Sequence, residues 1–133
     1  VFVRGSDAQL QLGNYSEEFY LTVFTENIDS LKKNGFDSDI SVYSTFCLKP
    51  YEILLEAPIV TKISDGNNEV NGLTVESYSI SGGYLDTKGE VFYYLSFFKS
   101  KDNFYSVLTM CELSSKVKYF EMMKHMHLSF KEQ

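Results

Sequence analysis

The chain has 133 residues, a formal net charge of -6 and a hydrophobic fraction of 44%, which predicts one globular domain over residues 1–133 and excludes a disordered chain. The acidic balance offers no basic patch for a nucleic-acid footprint, so no nucleic acid is expected as a partner. No apolar run approaches the roughly 18 residues of a membrane-spanning helix, so no membrane-spanning segment is expected.

The first half of the chain predicts a hairpin followed by a helix. Residues 8–12 and 19–25 have strand-like alternation and are separated by turn formers, which is typical of two paired strands. Residues 39–56 carry apolar side chains at helical spacing, and Pro58 is expected to mark the end of that helix. Because proline lacks a backbone N–H and clashes with the preceding turn, we expect the helix to bend or break within one turn of Pro50.

Two further strands are predicted over residues 59–63 and 73–80, each bounded by turn-forming residues. Residues 65–68 read Asp-Gly-Asn-Asn and predict a turn after the first strand. An Asn-Gly pair at residues 71–72 introduces the second strand. The Ser-Gly-Gly sequence at residues 81–83 is expected to break it.

Residues 91–99 and 104–112 predict the central hairpin of the fold. Both segments carry apolar side chains at odd and even positions, which is typical of strands covered on both faces. The polar residues 100–103 between them are turn formers, and so short a loop joins antiparallel strands.

The last predicted element is a helix over residues 114–131, with Ser114 or Ser115 as its N-cap. One apolar stripe at steps of three and four indicates a face that packs on the core. A surface that fits a partner is the alternative, because methionine adapts to irregular surfaces. The stripe consists of Tyr119, Met122, Met123, Met126 and Phe130.

The order of elements is therefore two strands, a helix, four strands and a helix. Strands in runs, without alternating strand–helix–strand units, predict the α+β class. We expect an antiparallel sheet of about six strands with helices on both faces, an α/β/α sandwich. The helix over residues 39–56 is expected on one face and the helix over residues 114–131 on the other.

This arrangement resembles the Mog/PsbP-like superfamily. The resemblance is carried by the opening hairpin around residues 14–21 (NYSEEFYL), by the meander through residues 71–73 (NGL) and 91–94 (VFYY), and by the closing residues 127–131 (HLSFK). It implies a Mog/PsbP-like α/β/α domain. It also implies a bacterial extracytoplasmic protein, secreted or lipid-anchored at the cell envelope. Members share a scaffold and not an activity, so the resemblance assigns no functional residue.

The two histidines are weak metal-site candidates. His125 and His127 are two residues apart on a predicted helix and point to different faces, so we expect a solvated helix face. Glu121 and His125 share a face. A metal site requires at least a third ligand, and none lies nearby in sequence.

No catalytic motif is present in the sequence. There is no G-x-S-x-G sequence and no phosphate-binding glycine pattern. Cys47 and Cys111 match no zinc or redox spacing, so we expect two buried free thiols, which are usually inert. A single disulfide is the alternative, and it would imply an oxidising compartment. The chain is therefore not expected to be an enzyme or to hold a cofactor or metal.

The leading hypothesis is a non-enzymatic accessory or binding domain with a protein partner. The start at Val1, without Met, is consistent with a trimmed mature domain of a lipoprotein. One rival is a chaperone or adaptor that holds an apolar partner helix against exposed sheet. The other rival is a hydrolase-type enzyme whose site is assembled from distant residues.

Three tyrosines are the candidate binding residues. With 11 Phe and 10 Tyr in the chain, some aromatic side chains must be exposed, and tyrosine contacts a partner with its ring while its hydroxyl stays in water. The alternative is that these tyrosines cover the rim of the sheet. The candidates, in or beside predicted turns and strand ends, are Tyr15, Tyr78 and Tyr84.

Overall fold

The computed structural model describes residues 10–14, 18–63 and 68–132. Ten strands and α-helices lie within these ranges, and a short 3-10 turn, Leu113–Ser115, precedes the last helix. They are β1 (Leu10–Asn14), β2 (Phe19–Asn27), α1 (Ile28–Lys33), α2 (Ile40–Leu54), β3 (Leu55–Ile63), β4 (Glu69–Val70), β5 (Leu73–Tyr84), β6 (Glu90–Lys99), β7 (Asn103–Glu112) and α3 (Lys116–Leu128).

The strands form one open antiparallel sheet in the order β1-β2-β7-β6-β5-β3, with the two-residue β4 paired to β5. The predicted α+β class and the six-stranded antiparallel sheet are therefore confirmed. The predicted hairpins β1–β2 and β6–β7 are also present. The two hairpins join through β2 and β7, which pair from Tyr20 opposite Met110 to Asn27 opposite Asn103.

Helices cover both faces of the sheet, as predicted. The odd-numbered side chains of β6, such as Leu95 and Phe97, share a core cluster with Tyr43 of α2. The even-numbered Phe92 packs on the other face with Met123 of α3. Because successive side chains of a strand point to opposite faces, β6 belongs to two cores at once. This accounts for its apolar character on both sides.

The face that α3 buries differs in part from the predicted stripe. Tyr119 and Met123 are buried, but Met122 is exposed, so its predicted core position is wrong. His127 is buried instead. The residues at 119, 123 and 127 are four apart and form one row along the helix, which is the row that meets the sheet.

Helix α2 begins where the carboxylate of Asp39 accepts a hydrogen bond of 2.7 Å from the Ser41 N–H. It continues through Pro50 and ends at Leu54, four residues later. The predicted break at Pro50 is therefore wrong, whereas a bend there stays a prediction. Pro50 has no N–H to donate to the carbonyl four residues earlier, which is that of Phe46. Phe46 is exposed, so water can reach this carbonyl and limit the cost of the missing hydrogen bond.

Strand β3 begins directly after α2, at Leu55, so the predicted end of the helix at Ala57-Pro58 is also wrong. Those two residues lie inside β3. Ala57 has a φ of 45°, and the register with β5 shifts between Glu56 and Ile59. A β-bulge of this kind accommodates proline in an edge strand.

Residues 81–83 do not break the strand, contrary to prediction, since β5 runs on to Tyr84. Gly82 allows the close approach of β3 instead. A Cβ atom at Gly82 would lie 3.1 Å from both the Glu56 carbonyl oxygen and the Leu55 Cβ. Gly82 therefore serves packing between strands rather than a turn.

We expect Gly82→Ala to lower the free energy of unfolding by about 1–2 kcal/mol, because β3 must move away from the added methyl group. Gly83→Ala is the matched control, since the nearest atom to a Cβ there would be 3.8 Å away. Urea denaturation followed by far-ultraviolet circular dichroism measures both variants. Equal stability of the two variants would contradict the packing role of Gly82.

Candidate functional site

A groove lies beside α2 on the face of the sheet that this helix covers. Helix α2 packs mainly over β3, β5 and β6, while α1 packs at the end of β2. The neighbouring strip of β2, β7 and β6 forms the floor of a groove of about 720 Å³. Volumes of this size are typical of ligand-binding sites. The floor residues are Phe24, Leu95, Phe97, Ser106 and Leu108.

The sheet register makes this floor apolar. Phe24 of β2 is opposite Ser106 of β7, which is opposite Phe97 of β6. Leu108 and Leu95 are opposite each other in the next row on the same face. Cross-strand neighbours on one face lie about 5 Å apart, so these side chains form one continuous surface.

The wall of the groove is a second apolar face of α2. Tyr43 and Leu48 of this helix are buried against the sheet. Phe46, Ile53 and Leu54 line the groove and remain 57%, 73% and 63% exposed. Large apolar side chains that are exposed and contiguous mark an interaction surface more often than isolated ones do.

Polar contacts fix α2 on the sheet and so hold the wall in place. Glu76 of β5 accepts hydrogen bonds from the hydroxyls of Ser41 at 2.7 Å and Ser44 at 2.8 Å. Lys62 of β3 forms an ion pair with the same carboxylate at 3.3 Å. Contacts to Glu76 therefore tie the first turns of α2 to two strands.

One end of the groove is polar. The hydroxyl of Tyr43 donates to the Oε1 atom of Glu26 at 2.8 Å and lies 3.3 Å from the Ser106 Oγ atom. The Tyr43 ring is buried and stacks on Phe104 with 4.2 Å between ring centroids. Burial raises the pKa of the Tyr43 phenol far above its ordinary value, so this group remains a proton donor. Glu26 is thus anchored by a rigid donor.

Both cysteines are free, which excludes the alternative of a disulfide. Cys47 lines the groove and is half-buried, whereas Cys111 is buried on the α3 face of the sheet. Burial raises the pKa of each thiol to about 11. Because the thiolate is the reactive form, both residues are poor nucleophiles at neutral pH.

His127 lies in a polar cluster between α3 and the sheet. Its Nδ1 atom is 2.6 Å from the Ser96 Oγ atom, and its Nε2 atom is 2.9 Å from the Thr109 Oγ1 atom. Ser96 is in turn 2.7 Å from the Ser77 hydroxyl. The predicted solvated position is therefore wrong for His127, although it is confirmed for His125, which is exposed.

The His127 cluster has the distances of a hydroxyl–imidazole pair but not the space for a substrate. The cavity beside it measures about 10 Å³, roughly the space of one water molecule. Burial lowers the pKa of His127 to about 3, so the imidazole is neutral. The spacing of four residues from Met123 was the sequence signal that indicated this buried position.

Of the three predicted tyrosines, the two that the structure describes, Tyr78 and Tyr84, lie apart. Tyr15 lies outside the described residues. Tyr78 is half-buried under α2, where its ring lies 6.1 Å from that of Phe97. Tyr84 is six residues further along β5, about 20 Å away. Their role in binding stays a prediction. The exposed groove residues of α2 were not predicted as a site.

Tyr84 lines a second, polar cleft of about 600 Å³ together with Glu18, Glu90 and Glu112. The hydrogen bond with Glu112, and then its charge, raise the pKa of Glu18. Among residues 18–63 and 68–132, no group of three or more His, Cys, Asp or Glu side chains is arranged to hold a metal ion.

Comparisons with known proteins add a fold and no activity. No protein-family model matches the chain, and no curated protein matches it. One similar solved structure is that of PA94, a protein of unknown function from Pseudomonas aeruginosa. The TM-score is 0.59 at 9% identity, over 99% of this chain and 79% of that chain. In the described part of the chain, every helix is too short or too polar to cross a membrane.

Proposed function

We propose that this domain is a non-enzymatic binding module that holds an apolar segment of a partner protein in the groove beside α2. The observation that carries this proposal is the exposed apolar face of α2 above an apolar sheet floor. It favours the chaperone or adaptor form of the binding hypothesis. The extracytoplasmic location, secreted or lipid-anchored at the cell envelope, remains part of the proposal and is supported only by the Mog/PsbP-like resemblance.

A helical partner segment matches the shape of the site. The sheet face already carries one helix, and a second helix beside α2 would cover the strip over β2 and β7. Helices pack with their axes about 8–10 Å apart. The wall from Phe46 to Leu54 spans eight helical steps, about 12 Å, which corresponds to two or three turns of a partner helix. Such helices dock through apolar side chains spaced three or four residues apart.

Transfer of the wall side chains out of water supplies the free energy of binding. Removal of apolar surface from water contributes roughly 25 cal/mol per Å². Phe46 and Ile53 are both large and both more than half exposed in the free domain. These two residues are therefore the expected centre of the interface.

The chemistry of the groove supports a binding role over a hydrolase. The polar side chains that line it are Glu26, Cys47, Lys49, Tyr51 and Ser106, and the Tyr43 hydroxyl contacts Glu26 and Ser106. The high pKa of the Cys47 thiol argues against it as a nucleophile. The buried imidazole of His127 belongs to the cluster on the opposite face of the sheet, so it is not available as a base for Ser106.

We expect Ile53→Asp to weaken binding of a leucine-rich amphipathic helical peptide at least about tenfold, because the charge would be buried at the interface. A single Trp in the peptide reports binding by fluorescence, since the domain contains no Trp. The thermal midpoint of the variant should match that of the parent, because Ile53 is exposed when the groove is free.

Val117→Asp is the matched control. Val117 is 94% exposed on α3, on the opposite face of the sheet, so its replacement should leave peptide binding unchanged. If the parent does not bind the peptide, or if both variants bind it as the parent does, the groove is not the binding surface.

A further inference from the structure

The groove is lined by one carboxylate and one ammonium group, and within the described ranges no salt bridge joins the two. Glu26 and Lys49 are the charged residues that line the groove. The ion pair found within the described ranges joins Lys62 to Glu76, so Glu26 has no salt-bridge partner there. Lys99 lies in the same cross-strand row as Glu26, with Phe104 between them. Its ammonium group donates to the Ser38 carbonyl at 2.6 Å.

The carboxylate of Glu26 is held by one of its two oxygens. Tyr43 donates to Oε1, whereas Oε2 accepts no hydrogen bond from the residues that the structure describes. The anchoring ring is itself fixed, since it stacks on Phe104 and meets Phe97 edge-on at 6.1 Å. The charge therefore has a defined position at one end of the groove.

Glu26 is exposed in the free domain, and a purely apolar occupant of the groove would cover its carboxylate without pairing it. Desolvation of a carboxylate costs several kcal/mol unless a countercharge or further hydrogen bonds replace the lost water. A neutral donor on the partner would supply a hydrogen bond but would leave the negative charge of Glu26 without a countercharge. A lysine or arginine at the end of the partner segment supplies both the donor and the opposite charge.

From this we infer that the groove selects an apolar helical segment that carries one basic residue at the end facing Glu26. The inference rests on the proposed function and specifies the chemistry of its partner. The Tyr43–Glu26 pair then acts as the specificity determinant, while Phe46, Ile53 and Leu54 supply apolar contact. A buried charge pair of this kind also sets which way round the segment lies in the groove.

Two peptides test the inference. Both share one leucine-rich helical sequence with a single Trp, and differ at the end of the apolar face, where one has lysine and the other norleucine. Norleucine keeps the methylene groups and removes the ammonium group. The parent domain is expected to bind the lysine peptide about tenfold or more tightly than the norleucine peptide at low salt, with the preference reduced by added salt.

Glu26→Gln is the diagnostic variant. The glutamine carbonyl still accepts the Tyr43 hydrogen bond, so the thermal midpoint should stay close to that of the parent. The variant should bind both peptides with similar affinity. A lysine preference that persists in Glu26→Gln would overturn the inference, because the charge would then be recognised elsewhere.

The outcomes separate this inference from the proposed function. If both peptides bind the parent equally and Ile53→Asp weakens both, the groove binds apolar segments without selection for charge, and only the inference fails. If neither peptide binds the parent, the proposed function fails and the inference fails with it. Self-association of the domain that Ile53→Asp abolishes would identify a second copy as the occupant and would also overturn the inference.

Discussion

Met123→Asp is expected to lower the free energy of unfolding by several kcal/mol and to leave the domain largely unfolded at room temperature. Met123 is fully buried, and it packs with Phe92, Tyr94 and Tyr119 between α3 and the sheet. An aspartate there would place an unpaired charge among apolar groups. Because small domains are stable by only about 5–15 kcal/mol, a loss of this size is readily seen in thermal melts.

Met122→Asp is the matched control for this prediction. Met122 precedes Met123 on the same helix but is 43% exposed, so its replacement adds a solvated charge and should change the stability by less than about 1 kcal/mol. Far-ultraviolet circular dichroism against temperature and urea compares the two. Melting of Met123→Asp at the parent temperature would show that α3 is not part of the core.

Acid is expected to destabilise the domain through His127. Folding lowers the pKa of this buried imidazole from about 6.5 to about 3. Between these values the unfolded chain binds a proton that the folded domain does not. The contribution of neutral His127 is therefore complete above pH 6.5 and is lost progressively as the pH falls towards 3. From pH 7 to pH 5 the loss is about 2 kcal/mol.

The pH dependence can be assigned with two histidine variants. His127→Gln removes the titrating group, so the fall in stability between pH 7 and pH 5 should become much smaller, even though the variant starts from a lower stability. His125→Gln is the control, because His125 is exposed on the same helix, and it should keep the slope of the parent. Equal slopes in urea titrations of all three proteins would rule out His127 as the acid-sensitive group.

The side chains that face His127 (Ser77, Tyr94, Ser96 and Thr109) carry no formal charge at these pH values.

Local pattern was sufficient for the class of the fold and for most of its elements. The alternation in residues 91–99 and 104–112 correctly predicted two strands covered on both faces. The change to helical spacing after Ser115 correctly predicted α3. These properties depend on neighbours two to four residues apart, which the sequence displays directly.

The errors occurred where distant segments decide the local conformation. Gly82 has the sequence character of a strand break, but its conformation is set by the close approach of β3. His127 is polar, but its place four residues after Met123 buries it, and hydroxyls from two strands satisfy its ring nitrogens. A buried polar side chain needs partners that pattern alone does not identify.

The sequence by itself determined the strand and helix types, the antiparallel hairpins and the two covered faces of β6. Only the tertiary structure decided that β2 pairs with β7 and that α2 lies to one side, over β3, β5 and β6. The groove depends on both facts, since its floor crosses β2, β7 and β6 and its wall is the outer face of α2. Strand order and the lateral position of a helix follow from contacts between residues far apart in the chain, whereas periodicity reports only which side of an element is apolar.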